Sequence, residues 1–356
     1  MSHAARPIPS AVASGRLQFI DMLRALASHL LVWHHLAFYG PLVDQAYPLA
    51  PVLLGWLGDP ARMVVQVFLV IGGFVASQHL ARVHEASWRQ FCTEILQRYY
   101  RIGVPYLAAL LLAVCVNALA SLWMDHDSIA APPSLAQLVA HALFLQDILR
   151  YESLSAGIWY LAVDFQLFVL TLAVAMLSMH AVSRNGGGEP GAALAWTQRI
   201  LAVLATASLF WFNRDPAFDC WGVYYLGSYF LGMLVQWKIS SRLPGRLLWG
   251  YLGLVAVAVA VDWRPRLVVA AVTAVLILLA AQGNRLKHWP KSRVVGYLGR
   301  ISFSLFLVHF PVCLVVNAWL SRWELTPPQA LAGMVAAWVG SVMMAMVFDH
   351  LVVNRR

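Results

Sequence analysis

The stretch Phe19-Ile-Asp-Met-Leu-Arg-Ala-Leu-Ala-Ser-His-Leu-Leu-Val-Trp-His-His-Leu-Ala-Phe-Tyr39 decides the fold. It is long enough to cross a bilayer as a helix, which takes roughly 20 predominantly apolar residues. It also carries Asp21, Arg24, His29, His34 and His35. Ionisable groups at membrane depth are costly, so they line a cavity, pair with one another or take part in chemistry. The run is too long for the core of a signal peptide and is followed by no small-residue cleavage site, so it reads as a retained first span.

The rest of the chain agrees with this reading. Of 356 residues, 61% are hydrophobic and 12% charged, with a mean hydropathy of +0.69. A soluble domain is about half apolar and a quarter charged. Further apolar runs follow at Met63–Leu80, Pro105–Trp123, Ile158–Met179, Ile200–Phe212, Trp221–Trp237, Leu247–Val261, Leu267–Ala281, Val294–Leu320 and Gln329–Val353. The expectation is an all-α polytopic membrane protein of about ten transmembrane helices, with both termini cytoplasmic. Residues 1–15 read as a flexible cytoplasmic N-terminus and 16–356 as a single transmembrane domain. Pro132–Arg150 is half apolar and predicts an extramembrane loop with a helix on the surface. Asn185–Gly191 reads as a glycine-rich linker.

Charge sets the orientation. With the termini inside, the outer segments hold only Arg62, Arg150, Arg214, Arg264, Arg266 and Arg322. Apart from Arg24, which lies within the first span, all other Lys and Arg fall in cytoplasmic segments, as the positive-inside rule asks. The net charge of +9 is therefore a topology signal. Basic residues spread over six segments argue against a nucleic-acid partner. Cys92, Cys115, Cys220 and Cys313 make no CxxC pair and no Cys/His metal spacing, so neither a disulfide nor a metal site is expected.

In the first span, Asp21, Arg24, Ser28 and His35 recur at steps of 3, 4 and 7 and share one helix face. Arg24 and His35 are separated by roughly 16 Å along the axis. This suggests an anion contact at the cytoplasmic mouth joined by a polar stripe to a deep imidazole. Imidazole suits general-base work because its unperturbed pKa lies near neutrality; His35 bonding only to a neighbouring helix is the plain alternative. Arg98 and Arg101, one turn apart at the start of the third span, suit phosphate or simple positive-inside anchoring. Asp164, near the start of the fourth span, is placed to orient an imidazole, close an ion pair or bond a neighbouring helix. Asp349 and His309 complete the ionisable set within the spans.

These segments resemble the acyltransferase 3 family of integral membrane O-acyltransferases. The family's first-span pattern of a basic residue, Asp-x-Leu-Arg-x-x-Ala and a distal His reads here as Arg16, Asp21, Leu23, Arg24, Ala27 and His35, the Arg-to-His spacing selecting His35 over His34. The second-span pattern appears as Phe68-Leu-Val70 and Gly73-Phe74, with Gln66 in place of Asp and Gly72 in place of Ser. The Arg-x-x-Arg-Ile-x-x-Pro approach to the third span appears as Arg98, Arg101, Ile102 and Pro105. The Trp-Ser-Leu-x-x-Glu motif appears as Trp159-Tyr160-Leu161 with Asp164 in place of Glu. The ninth-span motif appears as Leu298-Gly299, Ser302, Phe306-Leu307, His309 and Pro311.

The resemblance implies an acyl-CoA donor, with acetyl-CoA as the default, entering from the cytoplasm and held at its phosphates by Arg24, Arg98 and Arg101. It implies His35 as general base, Asp164 orienting it, and Asp21, Ser28, Ser302 and His309 as the supporting polar stripe. The acceptor would be a hydroxyl of a glycan or other cell-envelope molecule, and the location a bacterial inner membrane. A transporter or flippase of a lipid-linked or small polar substrate is the rival reading, and a non-catalytic scaffold the third. The absence of an internal repeat counts against the transporter.

Overall fold

In a bilayer core no water satisfies backbone N–H and C=O groups, so a spanning segment must satisfy them within itself. Each of the ten apolar runs accordingly falls on a helix. The computed structural model describes residues 16–83, 85–184 and 191–354, and within them the regular structure is entirely helical. The N-terminus expected at 1–15 and residues 185–190 of the expected linker lie outside the described residues, as do Arg355 and Arg356.

The helices are α1 (Gln18–Phe38), α2 (Pro41–Ala46), α3 (Pro51–Gly58), α4 (Val65–Leu80), α5 (Trp88–Ala120), α6 (Leu135–Ala142), α7 (Trp159–Arg184), α8 (Ala192–Phe210), α9 (Gly222–Ile239), α10 (Gly245–Val261), α11 (Pro265–Gln282), α12 (Arg293–Leu320) and α13 (Pro327–Phe348), followed by a π-helical turn over Asp349–Val353. Seven helical segments among the described residues are long and apolar enough to cross a membrane, and α10 is a shorter apolar helix. α1 is not among the seven, its apolar character diluted by Asp21, Arg24 and three histidines. The chain is a polytopic, all-helical membrane protein.

Local chemistry sets the helix boundaries. Prolines stand in the first turn of α2, α3, α11 and α13, where a missing N–H removes nothing. Thr326 and Gln329 form a capping box at the start of α13. The third apolar run was expected to begin at Pro105, but α5 begins at Trp88 and passes through Pro105. One proline deletes a single intrahelical bond, which a long packed helix tolerates. The half-apolar segment 132–150 contains α6, capped by the Ser134 hydroxyl accepting from Gln137 N. Residues 40–61, between the first two apolar runs, are also helical in part, as α2 and α3.

The contacts gather into two compact units. The first comprises described residues within Met1–Leu23, Gln66–Phe91 and Leu167–Gly296. Its centre is α9, buried along nearly its whole length. α4 reaches α9 through two glycines. A Cβ on Gly73 would strike the Tyr229 carbonyl, and one on Gly232 would strike the Val70 carbonyl. Backbone meets backbone there, which only glycine permits. Arg264 ties helix ends together in this unit, donating to the Leu209 carbonyl at 2.8 Å, the Ala258 carbonyl at 3.1 Å and Asn213 Oδ1 at 2.9 Å.

The second unit comprises Arg24–Val65, Cys92–Gln166 and described residues within Tyr297–Arg356. It holds most of α1, all of α2, α3, α6 and α13, most of α5 and α12, and the beginning of α7. One apolar cluster joins Val116 and Ala120 of α5 to Phe310, Leu314 and Ala318 of α12, with Tyr39 and Ala156 packed against it. Asn117 ties the loop before α7 to α5 by donating to the Leu154 carbonyl at 3.2 Å.

Candidate active site

The site in the second unit is built on the distal end of α1. His35 is buried there. Its Nδ1 lies 2.6 Å from His309 Nε2 of α12, and the two rings lie 4.9 Å apart between centroids, 18° from parallel. His309 is wholly buried, and its Nδ1 donates to the Phe306 carbonyl at 2.8 Å and approaches the Leu305 carbonyl at 3.1 Å. Tyr39 and Phe310 stand edge-on to the His35 ring at 5.5 and 6.3 Å. His34 is the nearest other imidazole, with centroids 5.1 Å apart.

One flank of His35 is bounded by backbone. Gly157, in the loop that precedes α7, has φ +82°. A Cβ there would lie 3.1 Å from His35 Cε1 and 4.0 Å from its Nε2. Glycine thus permits both a left-handed turn and the close approach of the backbone to that ring edge. Two residues earlier, the Ser155 hydroxyl is buried with no hydrogen-bond partner among the described residues. The motifs drawn from the sequence include neither residue, although the glycine two positions ahead of Trp159 was the available signal.

The other candidates separate into groups. Asp164 in the second turn of α7 forms an ion pair with Arg98 of α5. Among the described residues no bond joins Asp164 to His35, whose Nδ1 faces the His309 ring. The physical reason is that a guanidinium is the stronger partner for a buried carboxylate. Arg101 is exposed and Arg24 half-buried. Arg98, expected to hold phosphate, already has its charge matched by Asp164.

The stripe residues are satisfied locally. Asp21, in the first unit, accepts from Arg16 Nε at 2.5 Å, and Arg16 also donates to the Gly296 carbonyl. In the second unit, Ser28 donates to the Ala25 carbonyl at 3.0 Å and Ser302 to the Gly299 carbonyl at 2.9 Å. The off-stripe histidines pack elsewhere: His34 Nδ1 donates to the Leu57 carbonyl at 2.9 Å, and His29 Nδ1 accepts from Trp338 Nε1 at 3.0 Å. Ser304 donates to Asp349 Oδ1 at 3.2 Å.

A buried imidazole held by a second imidazole can accept a proton from a hydroxyl brought to it. This arrangement sits in a chain whose residues 17–346 match the acyltransferase domain family; the protein belongs to that family and is a membrane acyltransferase. No curated protein and no solved structure matches the chain.

Proposed function

We propose that the protein transfers an acyl group, acetyl by default, from acyl-CoA to a hydroxyl of a carbohydrate or other cell-envelope acceptor, with His35 as general base. The observation that carries this reading is the buried His35–His309 pair, with the Gly157 backbone close against the His35 ring edge. Within this reading the chain is one catalytic domain over 16–356, spans a bacterial inner membrane about ten times and keeps both termini in the cytoplasm.

The chemistry needs no covalent enzyme intermediate. The acceptor hydroxyl gives its proton to His35 as its oxygen attacks the thioester carbonyl, and the carbonyl π pair moves onto oxygen. When that pair returns, the C–S bond breaks. The CoA thiolate leaves and takes the proton back from the His35 imidazolium. Arg24, Arg98 and Arg101 hold the phosphates of the donor. Asp164 offsets part of the charge that Arg98 offers the donor.

Calorimetry on the detergent-solubilised protein tests the donor. Binding of acetyl-CoA and CoA is expected in the wild type, weakened in Arg24→Ala and Arg101→Ala and retained in His35→Ala. Absence of binding to either molecule would remove the donor and favour a carrier of a lipid-linked or small polar substrate.

A further inference from the structure

The hydrogen bonds around His309 decide which nitrogen of His35 is basic. The carbonyls of Phe306 and Leu305 only accept, so His309 Nδ1, at 2.8 and 3.1 Å from them, carries a proton. The opposite tautomer would turn a lone pair toward two carbonyl oxygens in a site where both rings are buried. A neutral His309 therefore presents a lone pair at Nε2. Facing it at 2.6 Å is His35 Nδ1, and two lone pairs cannot face each other at that distance. His35 Nδ1 thus donates, and the single basic nitrogen left on His35 is Nε2. The proton order runs from His35 to His309 to the backbone of α12.

We propose that His309 is a positioning residue that locks His35 in the Nδ1–H tautomer, so that Nε2, on the ring edge beside Gly157, receives the acceptor's proton. This inference rests on the reading of His35 as the base. It assigns to a neutral imidazole the orienting task that a carboxylate performs in other base-and-orienter arrangements. A neutral orienter suits this pocket of Tyr39, Phe310 and backbone, where an unpaired carboxylate would be costly. When Nε2 takes the proton, Nδ1–H keeps its acceptor, so the imidazolium forms without loss of a bond. The other titratable groups facing His35 are His34 and Tyr39.

Nitrogen NMR on protein carrying isotope-labelled histidine tests this without an acceptor substrate. The chain has 12 histidines, so the His35 signals are identified by their loss in His35→Gln. The expected wild-type pattern is a protonated, pyrrole-type Nδ1 and an unprotonated, pyridine-type Nε2. His309→Leu, which removes the acceptor, is expected to release His35 into a mixture of tautomers. His309→Gln, whose side-chain carbonyl can accept from Nδ1–H, is expected to restore the single form. A pyridine-type Nδ1 in the wild type would overturn the inference, as would a His35 pattern unchanged in His309→Leu. Acetyl-CoA binding separates this from the donor reading. The expected nitrogens with no CoA binding would keep the dyad and sink the donor; CoA binding with reversed nitrogens would do the opposite.

Discussion

Asp164 is paired with Arg98 across α5 and α7, and it leaves the orientation of His35 to His309. The pair is largely withdrawn from solvent, with 20% of the Arg98 side chain and 9% of the Asp164 side chain accessible. Removing one partner of such a pair strands the other charge, at a cost of about 3–5 kcal/mol when burial is complete. Partial access of Arg98 puts the expected cost at the lower end.

Asp164→Leu and Arg98→Met should each destabilise the protein by about 3 kcal/mol, and the double variant by less than the sum. The expected coupling is about 1–3 kcal/mol. Chemical or thermal unfolding in detergent reads all three. Strict additivity would show that the two charges do not depend on each other.

Gly157→Ala combines a backbone penalty with a contact. A left-handed φ costs a residue with a Cβ about 1–2 kcal/mol, and the new Cβ would lie 3.1 Å from His35 Cε1. The variant should melt lower and lose transfer while still binding acetyl-CoA. An unaltered melting point together with full activity would mean that the turn relaxes and the ring edge is not confined there.

Gly232→Ala should be severe although it adds one methyl group. The added carbon would meet the Val70 carbonyl and Phe74 nitrogen, both backbone atoms, so no side chain can rotate away. Separation of α4 from α9 should cost about 3 kcal/mol. Gly250→Ala, where a Cβ meets nothing within 4 Å, is the matched control. Equal stability in the two variants would remove the backbone-contact explanation.

His141 of α6 predicts a pH dependence of stability. Burial lowers its pKa below the ordinary value of 6.5, outweighing the bond to the Glu152 carbonyl, which raises it. The folded state therefore favours the neutral ring, which accepts from the Tyr106 hydroxyl at 3.0 Å and donates to the Glu152 carbonyl at 3.2 Å. A depressed folded pKa means that the contribution is complete above about pH 6.5 and is lost as pH falls toward the folded pKa. Melting points measured from pH 7.5 down to 5 should fall, and the fall should be shallower in His141→Gln. The same slope in both proteins would clear His141 of the effect.

Apolar runs and their spacing were enough to place the long helices, because a segment in hydrocarbon has no alternative to satisfying its own backbone; the short α2 and α3 lie outside every such run. Where a run was bounded by charge or proline the limits were weaker, and α5 extends well ahead of Pro105. The spacing of Arg24, Ser28 and His35 sets them on one face of α1, since helical periodicity is a local property. Partner choice is different in kind. His35 meeting His309, Asp164 meeting Arg98, and Gly157 lying against an imidazole join residues 274, 66 and 122 positions apart. Such pairings depend on how helices rotate and pack, which periodicity within one helix cannot specify. The sequence alone determined a polytopic helical membrane protein with a charged first span. Only the tertiary structure decided which group orients the imidazole, because a hydrogen bond requires two specific atoms to come within about 3 Å of each other.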